Sequence, residues 1–193
     1  TATADPGYSL TSLTVNDVPF TSGNIHTLTA DAVIKATFTI NTHVLTWNVN
    51  GGNSLTGEYT QGNVDYGTPI VQPADPTRVG HTFKGWIDQN SQTTVQTTMP
   101  DYDLTYTAQW KLIPTLSWSA PSCTAALEAD NDYPKLTTSP ADLTGITYSS
   151  SKESVATIDD KTGEITLVDV GETTITASFA GNGTYAPAVD ASY

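Results

Sequence analysis

Residues 44–50 read Val-Leu-Thr-Trp-Asn-Val-Asn, and a pair of glycines follows directly. Leu45, Trp47 and Val49 alternate with polar residues, so they share one face of an extended chain. This alternation with period two predicts a half-buried strand of an antiparallel sheet. The two glycines permit positive φ angles, which a tight turn requires. The stretch therefore predicts a strand that ends in a turn.

The same alternation recurs in three further stretches, residues 33–40, 103–110 and 173–179. Turn-forming Asn, Asp, Gly and Pro residues separate the strands at 50–53, 66–69, 159–163 and 181–183. Helical periodicity is almost absent, and its best window, residues 123–129, is short enough to be a strand instead. The pattern predicts an all-β chain of tandem small modules.

The amino-acid composition of the chain excludes several classes of partner. The 193 residues include 20 acidic and 7 basic side chains, which gives a net charge of −13. Such a chain repels phosphate backbones and anionic lipids, so we expect no nucleic-acid partner, and mutual repulsion favours a monomer. No apolar run approaches the ~20 residues of a membrane helix, so we expect no membrane insertion in this fragment. The single cysteine, Cys123, rules out an intrachain disulfide and is expected to be a small buried hydrophobe.

The chain contains an internal repeat. When Gly7–Leu10 is placed over Gly80–Phe83, residues 31–38 fall over residues 103–110 with only one residue of difference between the gaps. Three pairs then coincide: Asp31 with Asp103, Ala36 with Ala108 and Phe38 with Trp110. We infer that residues 1–41 are the second half of a unit related to residues 42–112, as in a piece of a longer protein. Residues 1–41 should then form an incomplete sheet with an unpaired edge.

Residues 42–112 resemble the internalin-type B-repeat, also called the bacterial surface repeat of the flagellar-new class. Four ordered blocks carry the resemblance: TWNVNGG (46–52), VDYGTPI (64–70), PADPTRVGHTFKGW (73–86) and TMPDYDLTYTAQW (98–110). Ile87 stands where the family usually has an aromatic residue. Residues 1–41 resemble the closing half of the divergent form of this repeat. The resemblance implies a β-grasp-like fold with a reduced helix.

Residues 113–193 resemble the group-2 bacterial immunoglobulin-like domain, which implies a β-sandwich. The blocks that carry this resemblance are TSP (138–140), YSSSKESVATID (148–159), KTGEITLV (161–168) and GETTITASF (171–179). Together the two families imply a non-enzymatic part of a bacterial cell-surface protein, extracellular, that acts as an adhesin-type stalk or interaction module. The alternative is a carbohydrate-binding accessory module of a secreted polysaccharide-processing system.

No catalytic residue is predicted, because the chain has no nucleophile elbow, P-loop, dinucleotide glycine fingerprint or HExxH motif. We expect structural or solvent-exposed roles for the three histidines, His26, His43 and His81. No cofactor is expected. Calcium at one of two acidic clusters, residues 130–132 or Asp159, Asp160 and Glu164, is the alternative, although neither cluster alone supplies six to eight oxygen ligands.

The aromatic residues fall into two groups. Trp47, Trp86 and Trp110 lie on predicted inner faces or at family core positions, so we expect them in the core. Tyr59, Tyr102 and Trp118 are the candidate contact residues for a partner, which would be a host or extracellular protein or a glycan.

Overall fold

The computed structural model describes residues 2–21, 27 and 30–193, and within these residues it contains fourteen strands and no helix. This confirms the all-β prediction. Contacts divide the chain into two compact units. The first comprises Thr1–Pro76 with Lys84–Gln109, and the second Thr77–Phe83 with Trp110–Tyr193.

The first unit begins with a small antiparallel sheet. Its strands are β1 (Tyr8–Val15), β2 (Val18–Pro19) and β3 (Ile34–Ile40), in the order β2-β1-β3. Within the described residues β3 pairs with β1 alone, so the predicted unpaired edge of this sheet is confirmed there.

A β-bulge keeps the apolar side chains of this sheet on one face. Leu10 lies opposite Phe38 and Leu13 lies opposite Ala36, and the register shifts between Leu10 and Ser12. Leu10 and Leu13 are three positions apart, so in a regular strand they would point to opposite faces. The one extra residue brings them to the same face.

The next sheet has four strands: β4 (Thr42–Asn48), β5 (Gly62–Asp65), β6 (His81–Asp88) and β7 (Leu104–Leu112). Their order is β5-β4-β7-β6, and the boundary between the two units falls within β6 and β7. The central pair, β4 and β7, is parallel. This order with a parallel central pair is that of a β-grasp sheet.

The parallel pairing corrects the prediction of an antiparallel sheet for residues 44–50 and 103–110. Alternation in sequence reports that one face of a strand is buried and carries no information on the direction of its neighbour. A parallel pair needs a long crossover connection, and the segment between β4 and β7 is long enough to supply it.

An aromatic cluster forms the core of this sheet. Trp47 stacks on Tyr106 with ring centroids 4.7 Å apart, and Trp86 meets Trp47 edge-on at 5.0 Å. Leu45, Met99 and Leu104 are fully buried beside them. Large rings of this kind bury much area per residue, which a repeat of about 70 residues needs in order to hold a core.

The second unit contains seven short strands: β8 (Thr115–Trp118), β9 (Leu136–Ser139), β10 (Thr147–Ser150), β11 (Ala156–Ile158), β12 (Ile165–Leu167), β13 (Ile175–Ser178) and β14 (Ala191–Ser192). They form three sheets, β8-β9, β10-β13-β14 and β11-β12, whose pairings are all antiparallel. Val155, Ile175 and Phe179 of this unit are buried. Residues 123–129 form neither helix nor strand.

Candidate functional site

Asn41 is the single residue between β3 and β4, and both of its backbone polar groups are hydrogen-bonded. Its N–H donates to the carbonyl of Gly7 at 2.8 Å, and its carbonyl accepts from the N–H of Tyr66 at 2.9 Å. Gly7 precedes β1, whereas Tyr66 follows β5. The backbone at the connection is therefore fixed to both repeat segments.

The side chain of Asn41 is fixed in the same way. Its Oδ1 accepts from the hydroxyl of Ser9 at 2.6 Å, and its Nδ2 donates to Oδ1 of Asp101 at 2.8 Å. Ser9 belongs to residues 1–41 and Asp101 to residues 42–112. An Asn side chain offers one acceptor and one donor group, and here each group contacts a different segment.

Asp101 is the centre of the contacts around Asn41. Its Oδ1 also faces Nε2 of His43 at 2.8 Å, and its Oδ2 accepts from the N–H of Gly7 at 3.2 Å. These donors, the Asn41 amide first and His43 next, hold the pKa of Asp101 below its usual value. The other ring nitrogen of His43 lies 3.6 Å from Asp103. His43 thus lies between two carboxylates.

Gly7 and Tyr66 pack tightly against each other. Gly7 is buried with φ of 80°, and a Cβ placed on it would overlap the ring of Tyr66. Glycine alone fits this position, because any side chain would be both strained and displaced. We call Gly7, Ser9, Asn41, His43, Tyr66 and Asp101 the repeat joint.

The polar groups of the repeat joint form a hydrogen-bond network. Its carboxylate and imidazole groups are engaged by neighbouring donors and acceptors, so they hold backbone segments together. Throughout residues 2–21, 27 and 30–193, no group of three or more His, Cys, Asp or Glu side chains is arranged to hold a metal. The repeat joint therefore connects residues 1–41 to residues 42–112.

The three predicted contact residues have different surroundings. Tyr59 is half-buried. Tyr102 is 42% exposed, and its hydroxyl accepts from the side chain of Gln96 at 2.8 Å. Trp118 is half-buried: its ring nitrogen donates to the carbonyl of Ala191 at 3.0 Å. Tyr59 and Tyr102 belong to the first unit and Trp118 to the second.

The tryptophans predicted for the core are mostly buried. Trp47 and Trp86 are buried in the sheet of the first unit. Trp110 is half-buried in the second unit, where its ring meets Phe83 edge-on at 5.5 Å. Trp118 packs edge-on against Tyr193 at 4.8 Å. Each of the four rings therefore contacts another aromatic ring.

Both acidic clusters have side chains that close turns. Asp159 accepts from the backbone N–H groups of Thr162 at 2.7 Å and Lys161 at 3.0 Å, and these bonds, Thr162 first, lower its pKa. The side chain of Asn131 accepts from the N–H of Ala126 and donates to two carbonyls of the same loop. Calcium binding at either cluster stays a prediction.

Cys123 is exposed, so the expectation of a buried hydrophobe is wrong. The reason is local, because residues 119–135 form no strand. Cys123 therefore does not lie on the buried face of a sheet. His81 contacts the carbonyl of Val79 at 2.9 Å, and His43 lies in the repeat joint. His26 lies outside the described residues.

A cleft of about 770 Å³ opens in the second unit between Cys123 and Tyr193. Apolar side chains line it, among them Val155, Ile165 and Leu167. The hydroxyl of Tyr193 is buried, and no described residue hydrogen-bonds to it. Burial raises the pKa of Tyr193 to about 12.

The sequence offered a weak signal for the repeat joint. Asp101 lies in the block TMPDYD, one of those that carry the repeat resemblance, and Asn41 lies at the boundary between the two inferred segments. Polar residues at a boundary between repeats are ordinary loop residues by composition. Asn41 and Asp101 meet only in the folded chain, because they are 60 positions apart in the sequence.

Comparison with known proteins agrees with the repeat pattern. Residues 43–109 match the model of the Listeria-Bacteroides repeat domain, and residues 1–42 match that of the divergent InlB B-repeat domain. A protein of Evansella cellulosilytica named as a membrane protein is 28% identical over 89 residues, which are 45% of this chain and 13% of that protein.

A second Evansella cellulosilytica protein, named as a Gly-rich membrane protein, is 25% identical over 112 residues. Those residues are 56% of this chain and 12% of that protein, so the chain spans a small fraction of either relative. No solved structure matches the chain significantly. Among the described residues there is no helix long and apolar enough to cross a membrane.

Proposed function

From the two consecutive B-repeat segments in residues 1–109, we propose that the chain is a non-enzymatic part of a bacterial cell-surface protein. Its role there is that of an adhesin-type stalk or interaction module. Listeria-Bacteroides repeats are surface repeat domains of bacterial proteins, and both Evansella relatives are named as membrane proteins. An extracellular, cell-surface location follows from the same premise.

The repeat joint is the observation that carries the stalk proposal. A stalk must hold successive modules at a fixed angle, and a flexible linker would let them fold back on each other. Here the linker is Asn41 alone, and four hydrogen bonds of 2.6 to 2.9 Å hold its backbone and side chain. Asp101 and His43 add further contacts at the same place. The connection between these two segments is therefore stiff.

We propose that residues 113–193 are a group-2 immunoglobulin-like domain that extends the same stalk. Short antiparallel strands and the burial of Val155, Ile175 and Phe179 support this assignment.

The partner of an interaction module would be a host or extracellular protein or a glycan. Tyr102, the most exposed of the three candidate aromatics, supports a contact surface in the first unit. The carbohydrate-binding alternative has less support, because sugar rings need exposed aromatic faces. Trp47 and Trp86 are buried, and Trp118 is packed against Tyr193.

The stiffness of the joint can be measured with two spin labels in a Cys123→Ser background. Thr37→Cys lies in β3 and Lys84→Cys in β6, and both side chains are exposed. We expect a narrow distance distribution that broadens in Asn41→Ala and stays narrow in Asn63→Ala, an exposed position of β5. A broad distribution in the parent chain would overturn the stalk proposal.

Binding is tested on an array of glycans and extracellular-matrix proteins, with and without calcium. Specific, saturable binding would establish an interaction module, and Tyr59→Ala, Tyr102→Ala and Trp118→Ala would then locate the surface. A chain that binds nothing on the array while keeping a stiff joint is a stalk.

A further inference from the structure

The chain enters and leaves the complete repeat through two adjacent strands. Residues 1–41 join the repeat at Thr42, the first residue of β4, and the first unit ends at Gln109, within β7. These two strands lie side by side in the sheet order β5-β4-β7-β6. A pull on residues 1–41 at one end and on residues 110–193 at the other therefore acts directly on β4 and β7.

The parallel direction of this pair decides how such a pull is applied. Residues 45–48 lie opposite residues 104–107 in parallel register. The force on β4 points toward its amino end and the force on β7 toward its carboxyl end, so one strand is made to slide along the other. All hydrogen bonds between them are then loaded together and must break nearly at once. If both forces acted at the same end of the pair, the bonds would open one after another.

Side-chain hydrogen bonds lengthen the contact between β4 and β7 at both ends. Before the paired residues, Oδ1 of Asp103 accepts the backbone N–H of Val44 at 2.8 Å. Beyond them, Nδ2 of Asn50 donates to the carbonyl of Ala108 at 3.0 Å. The hydrogen-bonded contact thus reaches from residue 44 to residue 50 on one side and from residue 103 to residue 108 on the other. More bonds share the load in a contact of this length.

Aromatic packing opposes the same sliding movement. Trp47 lies opposite Tyr106 in the register of the two strands, and their rings stack with centroids 4.7 Å apart. Trp86 of β6 meets Trp47 edge-on at 5.0 Å, and all three side chains are buried. A slip of β4 by one residue would move its apolar side chains to the other face of the sheet. Sliding therefore disrupts the aromatic packing together with the hydrogen bonds.

We propose that residues 44–50 and 103–108 form a mechanical clamp, which makes the repeat resist a force that acts along the chain. The resistance of a folded domain to pulling is governed by its unfolding rate, and a contact that must break all at once makes that rate slow. This role rests on and deepens the proposed stalk function, since a stalk is stretched when a partner holds its far end. The points where the force acts, Thr42 and Gln109, both lie within the chain.

The test stretches single molecules of the full chain, in a Cys123→Ser background, in two pulling directions. Pulling through the two ends of the chain loads β4 and β7 in shear. Pulling between Ser54→Cys, an exposed position after β4, and the C-terminal end of the chain applies the force to the carboxyl ends of both strands. Unfolding of the repeat is recognised by a gain in length of roughly 200 Å. We expect it to need at least twofold more force in the first direction.

Two variants test the side-chain bonds at the ends of the mechanical clamp. Asp103→Ala removes the acceptor of the Val44 N–H. Asn50→Gly removes the donor to Ala108 and tolerates the positive φ of 47° at this position. Each should speed unfolding several-fold in the shear direction and bring the forces of the two directions closer together. Asn63→Ala, at an exposed position of β5, is the control and should leave both forces unchanged.

Three results would overturn the proposal. The first is an equal force in the two pulling directions, and the second is the absence of an unfolding event of this length in the shear direction. The third is an equal loss of force in both directions on Asp103→Ala and Asn50→Gly, since a substitution that merely destabilises the repeat acts in this way. The spin-label distances decide the stalk proposal separately: a narrow distribution with equal forces would remove the mechanical clamp and keep the stalk.

Discussion

The side-chain amide of Asn41 donates to Oδ1 of Asp101 at 2.8 Å, although the two residues are 60 positions apart in the sequence. Asn41 is the connection between β3 and β4, and Asp101 precedes β7. The contact therefore ties the end of one repeat segment to a late part of the next. Its consequences can be measured one residue at a time.

Asn41→Ala should lower the free energy of unfolding by about 1 kcal/mol, because it removes two partly exposed side-chain hydrogen bonds and leaves the backbone bonds in place. Chemical denaturation measures the change. Asn63→Ala, at an exposed position of β5, is the control and should change stability little. Equal effects of the two substitutions would show that the side-chain hydrogen bonds of Asn41 do not stabilise the connection between the two repeat segments.

Gly7→Ala should destabilise the first unit by roughly 3 kcal/mol, since it combines a strained positive φ with an overlap on the ring of Tyr66. Gly57→Ala separates these causes: Gly57 has φ of 87° and no atom within 4 Å of its added Cβ. It should cost only the strain, about 1 kcal/mol. Similar thermal midpoints for the two variants would refute the close packing of Gly7 and Tyr66.

Acid should weaken the repeat joint. The pKa of Asp101 is lowered in the folded chain from its ordinary value of 3.8, so its stabilising contribution is present above that value. The contribution is lost as the pH falls through the lowered pKa. Asp101→Asn should therefore flatten the acid side of a plot of thermal midpoint against pH, and carboxyl NMR should report the lowered pKa directly.

Two further variants show whether this dependence of stability on acid pH belongs to Asp101. Asp159 also has a lowered pKa, held by the N–H groups of Thr162 and Lys161, so Asp159→Asn should reduce the acid dependence separately. Asp75→Asn changes an exposed carboxyl and should leave the profile as in the parent chain. An unchanged acid profile in Asp101→Asn would show that Asp101 does not stabilise the fold through its charge.

Tyr193 should lose its proton late in an alkaline titration. Its pKa is raised to about 12, so its neutral form contributes stability below pH 10 that is lost as the pH rises from 10 to about 12. Ultraviolet absorbance should show a step near 12 among the nine tyrosines, and Tyr193→Phe should remove it. Because the hydroxyl is buried without a described partner, this variant should be as stable as the parent or slightly more so.

The strands that alternate clearly could be predicted from the sequence. Residues 33–40, 103–110 and 173–179 correspond to β3, β7 and β13, because a buried face leaves a local signal with period two. The two-residue strands β2 and β14 are too short to show this alternation. They are defined by their pairing with β1 and β13. The parallel direction of β4 and β7 was missed for the same reason: it depends on residues distant in sequence.

The candidate site was harder to predict than the fold. Asn41 has the composition of a turn, and its partners Ser9, Tyr66 and Asp101 lie in three different parts of the chain. No local pattern relates them. The sequence gives only the residue type and position of Tyr59, Tyr102 and Trp118. Their exposure depends on the fold, in which Trp118 packs against Tyr193.

The parallel ladder of β4 and β7 also sets an order of events during synthesis. Val44 and its partner Asp103 are 59 positions apart, so β4 leaves the ribosome long before its central neighbour exists. The hairpin of β1 and β3 can close as soon as residue 40 has emerged. The aromatic core of Trp47, Trp86 and Tyr106 must wait for nearly the whole repeat. The nascent chain can therefore pair β4 with β5 early, but the edge of β4 that later contacts β7 stays open until residues 104–112 have emerged.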